Sequence, residues 1–101
     1  MAKDFRVSVP HELKREEAID RIKGLVAELK KEYGDQVGQA EESWSGNRCE
    51  FRLKIRRINL SGTIEVDESS AEIRGTLPFA ARLLEGPAKE LIAKRARELL
   101  S

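Results

Sequence analysis

The amino-acid sequence predicts an α+β fold, a two-layer sandwich of element order β-α-β-β-β-β-α with both helices on one face of an antiparallel sheet. Three observations predict it. Residues 48–77 alternate apolar and polar side chains in three successive runs, a long amphipathic helix precedes them, and a second amphipathic helix follows. Each strand then has one apolar face, which the helices can cover. At 101 residues, the chain is predicted to be one domain, 1–101.

The three runs read as consecutive strands whose inward side chains are apolar or glycine. The inward positions are Cys49, Phe51, Leu53, Ile55, then Leu60, Gly62, Ile64, Val66, then Ala71, Ile73, Gly75, Leu77. A two-residue loop at Glu68 and Ser69 predicts that Ile64 faces Ile73. A second loop at Ile58 and Asn59 is expected because asparagine tolerates the positive φ of such turns.

That second loop fixes the expected pairing of the first two runs. It sets Phe51 opposite Val66, Leu53 opposite Ile64 and Ile55 opposite Gly62. The pairing also brings Gly62 and Gly75 side by side on the buried face. We expect a notch there, where the sheet curves and a helix sits close, unless a bulge displaces one of the glycines.

Two more strands complete the predicted sheet. Residues 39–45 are polar apart from two positions, as suits an edge strand, and a turn at Gly46 and Asn47 sets Trp44 opposite Cys49. Residues 5–9 form the first strand, stopped by Pro10. The first strand is expected to pair with the last, since the helix after it must cross the sheet to reach the opposite edge.

The helices follow from apolar stripes of helical period. The first is expected over 14–33, ending at Gly34, and Gly24 within it suggests a close contact with the sheet. Its stripe is Ala18, Ile22, Leu25, Val26, Leu29 and Tyr33. After Pro78, a short helical turn over 79–85 precedes a final helix over 87–100, because Gly86-Pro87 interrupts the pattern.

Composition narrows the function classes. Lysine and arginine number 19 against 18 aspartates and glutamates, a balance that argues against a general polyanion-binding protein. A single cysteine on a core face fits a reducing compartment. No apolar run resembles a signal peptide or a membrane span, so a cytoplasmic location is expected.

No motif for catalysis, metal binding or a cofactor is present in the sequence, and a non-enzymatic protein is expected. His11, the one histidine, lacks an identifiable partner and is expected at the surface or at the entry to the first helix. Cys49, beside Trp44, has no identifiable general base that could activate its thiol, and it is expected to be a small core residue.

Two surfaces remain as candidate binding sites. The first is a basic face on the outer side of the sheet, made of Arg48, Arg52, Lys54, Arg56 and Arg74. It favours nucleic-acid binding as an alternative function, but it lacks aromatic residues for stacking and is interspersed with glutamates. The favoured interpretation is a lattice of opposite charges that keeps the sheet soluble, and this face or an edge strand is also a candidate homodimer interface.

The second surface is apolar and consists of Phe79, Leu83 and Leu84, just ahead of Gly86-Pro87. An apolar turn beside a curved sheet suits either the gate of a lipid-sized cavity, and hence an apolar small molecule, or contact with the apolar surface of a storage granule. Alternatively, these side chains close one end of the core.

The order of elements resembles the TATA-binding-protein-like fold and the smaller helix-grip proteins. Three segments resemble a bacterial family named for the polyhydroxyalkanoate (granule) system: His11-x-Leu13-x-x-x-Glu17-Ala18-x-x-Arg21-Ile22, Gly62-Thr63-Ile64-x-Val66 and Leu77-Pro78-Phe79. The resemblance covers nearly the whole chain. It implies a bacterial cytoplasmic protein connected with polyester granules, and it carries no chemistry to particular residues. Asn59, where the family commonly has glycine, and the polar stretch 39–43 depart from the pattern.

Overall fold

The computed structural model describes residues 2–55 and 57–101, and the elements within them follow the predicted order. They are β1 (Ala2–Pro10), α1 (Arg15–Ile22), α2 (Leu25–Tyr33), β2 (Val37–Ser45), β3 (Arg48–Ile55), β4 (Ile58–Val66), β5 (Ser70–Pro78) and α3 (Glu85–Leu100). Short 3-10 helices occupy Gly34–Gln36 and Phe79–Leu84. Arg56 of the predicted basic face and the side chain of Tyr33 lie outside the described residues.

The five strands form one antiparallel sheet in the order β1-β5-β4-β3-β2. The predicted pairing of the first strand with the last is confirmed, and β2 is an edge strand as expected. Trp44 lies opposite Cys49 across the Gly46 turn, where Gly46 has a φ of 61°. The helices pack on one face of this sheet, so the predicted α+β sandwich is confirmed.

The predicted register between β3 and β4 is wrong by four residues. Phe51 lies opposite Gly62 and Leu53 opposite Leu60, because the turn comes two residues earlier than expected. The positive φ of this turn belongs to Arg57, at 73°, and not to Asn59. Moving a turn by two residues shifts every partner by four and leaves each side chain on its original face. The alternating pattern is therefore compatible with both registers.

The β4–β5 register is as predicted, with Ile64 opposite Ile73 and Gly62 opposite Gly75. The notch between these glycines is filled by an aromatic ring and not by a helix, which corrects the expectation. A Cβ on Gly75 would overlap the ring of Phe5, and one on Gly62 would overlap the carbonyl of Arg74. The glycines are needed because Phe5 lies over the sheet and the β5 backbone approaches β4 closely.

The predicted helix over 14–33 is broken into α1 and α2 at Gly24, which is a second correction. The Gly24 N–H donates to the Arg21 carbonyl at 3.0 Å, an i to i−3 bond that tightens the chain for one turn. A Cβ on Gly24 would lie 3.7 Å from Leu99 Cδ2. The close approach at this glycine is therefore to α3 and not to the sheet. Gly34 ends α2 with a φ of 54°, as predicted.

The final helix begins at Glu85, so Gly86-Pro87 lies in its first turn and does not precede it. Proline is tolerated there because the first N–H groups of a helix have no partner within it. The predicted helical turn before α3 is the 3-10 helix Phe79–Leu84. Arg95 of α3 donates to Glu32 of α2 at 2.6 Å, which joins the two helices at the edge of the core.

The core lies between the sheet and the helices. Its buried side chains from the helices are Ala18, Ile22, Leu25, Val26, Leu29, Ile92, Ala96 and Leu100. They meet the inward side chains of all strands but β2, which contributes the partly buried Ala40 and Trp44. The apolar stripes predicted from the sequence are thus the surfaces that meet.

Gly75→Ala is expected to reduce the free energy of unfolding by about 1–3 kcal/mol, since the added methyl overpacks the core against Phe5. Phe5→Leu in the same chain should recover part of that loss, because the two changes share one contact. Gly38→Ala is the matched control, since its Cβ would come no nearer than 4.0 Å to the Lys54 carbonyl. Urea unfolding of the native chain and the three variants measures the effect; equal losses for Gly75→Ala and Gly38→Ala would contradict it.

Candidate functional site

The apolar surface predicted at Phe79, Leu83 and Leu84, called the apolar patch below, lies on the short 3-10 helix between β5 and α3. The side chains are 47%, 84% and 44% exposed, respectively. Ala81 is the residue of this helix that turns inward, and it is buried. Leu83 therefore does not close the end of the core.

Local geometry explains how the patch is held. In a 3-10 helix, residues i and i+3 lie above one another, which brings Arg82 over Phe79. The guanidinium carbon stands 4.5 Å from the ring centroid, and Nη1 donates to the Phe79 carbonyl at 3.3 Å. This cation–π contact orients the ring while leaving it half exposed.

The described residues of the predicted basic face, Arg48, Arg52, Lys54 and Arg74, lie on the outer side of the sheet, interleaved with carboxylates. The register sets Arg48 opposite Glu65 and Arg52 opposite Glu41. Glu72 accepts ion pairs from Arg6 at 3.2 Å and from Arg74 at 2.8 Å. Opposite charges facing each other across strands stabilise a solvated sheet surface.

A third surface was not singled out from the sequence. An open groove of about 620 Å³ runs between the free side of β1 and α3. It is lined by Arg6, Val7, Ser8, Lys89, Glu90, Ala93, Lys94 and Arg97. The sequence places Lys89, Lys94 and Arg97 in the final helix, but only the packing of α3 against β1 brings Arg6 beside them.

Cys49 is fully buried beside Trp44, as expected of a core residue. Burial raises the pKa of the Cys49 thiol, and the nearby carboxylates of Glu42 and Glu50 add to this effect. A backbone hydrogen bond from Ser43 opposes it. The thiol is thus held in the protonated form, which is a poor nucleophile and a poor metal ligand.

His11 is buried, not at the surface, and both ring nitrogens are engaged. The Leu13 N–H donates to Nδ1 at 3.1 Å, and Nε2 lies 2.9 Å from the Asp67 carbonyl. Since Nδ1 accepts, the proton of the neutral ring belongs on Nε2, where it is donated to Asp67. The imidazole thus links the entry of α1 to the β4–β5 turn, and its two ring nitrogens serve this structural role.

The space between α2, α3 and the sheet is nearly filled. A gap of about 10 Å³ lies there, bordered by apolar side chains that include Leu29, Phe51 and Ile92. This is close to the smallest volume that holds one water molecule. Across residues 2–55 and 57–101, no group of three or more potential metal ligands is found. The helices described are too short or too polar to cross a membrane.

Solved structures define the fold class. The Zhui aromatase/cyclase from Streptomyces sp. R1128 superposes with a TM-score of 0.53 at 8% identity, covering 99% of this chain and 92% of that one. The di-domain ARO/CYC BexL of the BE-7585A biosynthetic pathway gives 0.51 at 10% identity, covering 99% and 50%. This protein therefore has a helix-grip fold, one of the two fold classes that the element order resembles. At these identities the likeness shows the fold alone.

Sequence comparison then gives the family. A family model described as "Putative polyhydroxyalkanoic acid system protein" matches residues 5–100. The chain belongs to this family, as the three sequence segments indicated. No curated protein matches the chain.

The Cys49 thiol is expected to react with an aromatic disulfide at pH 8 at least about tenfold more slowly in the folded protein than in urea, because burial suppresses both access and ionisation. Because the fold favours the protonated thiol, the raised pKa of Cys49 contributes to the stability of the folded protein, and this contribution is fully present below the pKa of an exposed cysteine. This contribution is lost as pH rises through the higher pKa of Cys49. Absorbance of the released thiolate measures the rate; equal rates in both states would contradict the burial.

Proposed function

We propose that this protein is a non-enzymatic accessory protein of the polyhydroxyalkanoate system that docks on the apolar surface of a polyester granule through Phe79, Leu83 and Leu84. The family membership supplies the system. The observation that carries the proposal is the 84% exposure of Leu83 between two further half-exposed apolar side chains.

The energetics of the patch suit adsorption to a surface that offers many sites. Full burial of one leucine or phenylalanine side chain is worth about 1.5–3 kcal/mol. Phe79 and Leu84 are already half covered, so they contribute less than Leu83. One patch then gives a weak contact, and many copies on a granule give stable coverage.

A ligand inside the fold is less well supported. Helix-grip proteins often bind apolar ligands. In this chain, the Phe5 ring covers Gly75 on the inner face of the sheet, and the gap between α2, α3 and the sheet is about 10 Å³. A lipid-sized molecule would need the helices to move apart. The exposed patch requires no such movement.

Nucleic-acid binding, homodimer formation and enzymatic activity have less geometric support than granule docking. Nucleic-acid binding through the outer face is opposed by the carboxylates of Glu41 and Glu65, which lie opposite Arg52 and Arg48. A homodimer through the same face would juxtapose two mixed-charge lattices. An enzymatic role would need a nucleophile or base, whereas Cys49 is buried and the ring nitrogens of His11 are engaged.

Cosedimentation with amorphous poly(3-hydroxybutyrate) granules tests the proposal in a high-salt buffer that screens electrostatic adsorption. The native chain should pellet with the granules. Leu83→Glu/Leu84→Glu should weaken binding at least about tenfold, which corresponds to a loss of 1.4 kcal/mol. Leu83 is exposed enough that its replacement leaves the fold intact.

Ala27→Glu/Ser61→Glu is the matched control. It adds the same two charges at exposed positions on α2 and on the outer face of the sheet. This control should pellet as the native chain does. Absence of pelleting by the native chain, or equal losses in both variants, would contradict granule docking through the patch.

A further inference from the structure

The groove between β1 and α3 concentrates positive charge in a chain that is nearly neutral overall. Four cations, Arg6, Lys89, Lys94 and Arg97, line it against the single carboxylate of Glu90. Among residues 2–55 and 57–101, the ion pairs formed include Arg6 with Glu72 but involve none of the three α3 cations. These three charges are therefore available to an anionic partner.

One wall of this groove is the free edge of β1. The strand runs over Ala2–Pro10 and pairs with β5 on one side alone, so its other side presents unpaired backbone groups. Such an edge is a template for another extended chain. Its inward side chains Phe5, Val7 and Val9 are buried, so the strand is firmly anchored in the core.

The opposite edge of the sheet is protected against pairing. β2 carries an irregularity between Val37 and Gln39, and Glu42 lies opposite Phe51, on the inner face of the sheet. A bulge and an inward-pointing charge are two common means of blocking an edge strand. The pairing of β1 with β5 runs from Ala2 to Pro10 without such an irregularity. The two edges therefore differ in their readiness to accept a strand.

We propose that the free edge of β1 binds an extended acidic segment of a partner protein, which adds a sixth strand to the sheet and places its carboxylates against Lys89, Lys94 and Arg97. Main-chain hydrogen bonds to β1 supply affinity, and the cations select for acidic side chains. This surface is distinct from the apolar patch, so the inference does not depend on granule docking.

The spacing of the cations fits such a segment. Same-face side chains of a strand repeat about every 6.6 Å, close to the 5.4 Å rise of one helical turn. Lys94 follows Lys89 by five residues and Arg97 follows Lys94 by three, which places successive cations about 7.5 Å and 4.5 Å apart along the axis of α3. A strand with glutamate at alternate positions therefore brings successive carboxylates within reach of successive cations.

A second copy of this chain fits the edge less well. Pairing β1 with β1 would bring two cationic grooves together, which like charges oppose. Pairing β1 with β2 would use the strand that carries Glu42 on its inner face. The charges and the edge chemistry thus favour a partner of a different sequence.

The test uses the full chain and a fluorescent eight-residue peptide in which glutamate alternates with threonine or valine. Fluorescence anisotropy should detect binding that falls at least about tenfold, or 1.4 kcal/mol, in Lys94→Glu/Arg97→Glu. Lys30→Glu/Lys31→Glu makes the same charge change on exposed positions of α2 and should bind as the native chain does. Leu83→Glu/Leu84→Glu should also bind normally, which separates this site from the apolar patch.

Two N-methylated peptides, one blocked along each edge, test the strand pairing itself. One version should lose binding and the other should retain it, because a strand added at β1 uses one of its edges. Equal binding of both versions would overturn the proposal in favour of a simple anion site. It would also be overturned by absence of peptide binding at millimolar concentration, or by preference for a single-stranded DNA over the peptide with the same dependence on Lys94 and Arg97.

Discussion

The packing of Phe5 over Gly75 is the contact on which the rest of the structure depends. It belongs to a row that crosses four strands, in which Phe51 faces Gly62, Gly62 faces Gly75 and Gly75 faces Phe5. Because Gly75 has no side chain, the Phe5 ring lies directly against the inner face of the sheet. This lets the helices close down on the inner face and leaves about 10 Å³ between them and the strands.

The small gap between the helices and the sheet favours binding at the outer surface of this small helix-grip protein, as we propose. Two surfaces stand out. The apolar patch lies where the chain leaves β5 and turns into α3, and the cationic groove lies along β1 and the same helix. Both depend on α3, whose inner side is fixed by Ile92 and Ala96 in the core. The packing of α3 in the core therefore positions both surfaces.

The sequence predicted which face of the sheet each side chain occupies better than it predicted which residues pair across neighbouring strands. Alternation of period two assigned the inward residues of β3, β4 and β5 apart from Ile58, which was expected in a loop. It could not separate two registers that differ by an even step, and Arg57 took the turn conformation expected of Asn59. The apolar stripe of helical period continues through Gly24, so it did not indicate that the helix breaks there. The groove likewise joins Arg6 to Lys94, so no local pattern could reveal it. The apolar patch was readable because its three residues lie within six positions.

The central claim is that this protein binds apolar material at its surface and not in its interior. Methyl NMR spectra recorded with spin-labelled polyhydroxyalkanoate nanoparticles test it most directly, since paramagnetic broadening reports proximity residue by residue. The account predicts broadening of the Leu83 and Leu84 methyl signals, while those of Leu29, Ile64 and Ile73 keep their positions and widths. Shifts or broadening centred on Leu29, Ile64 and Ile73 would contradict it, because they would place the apolar material between the helices and the sheet.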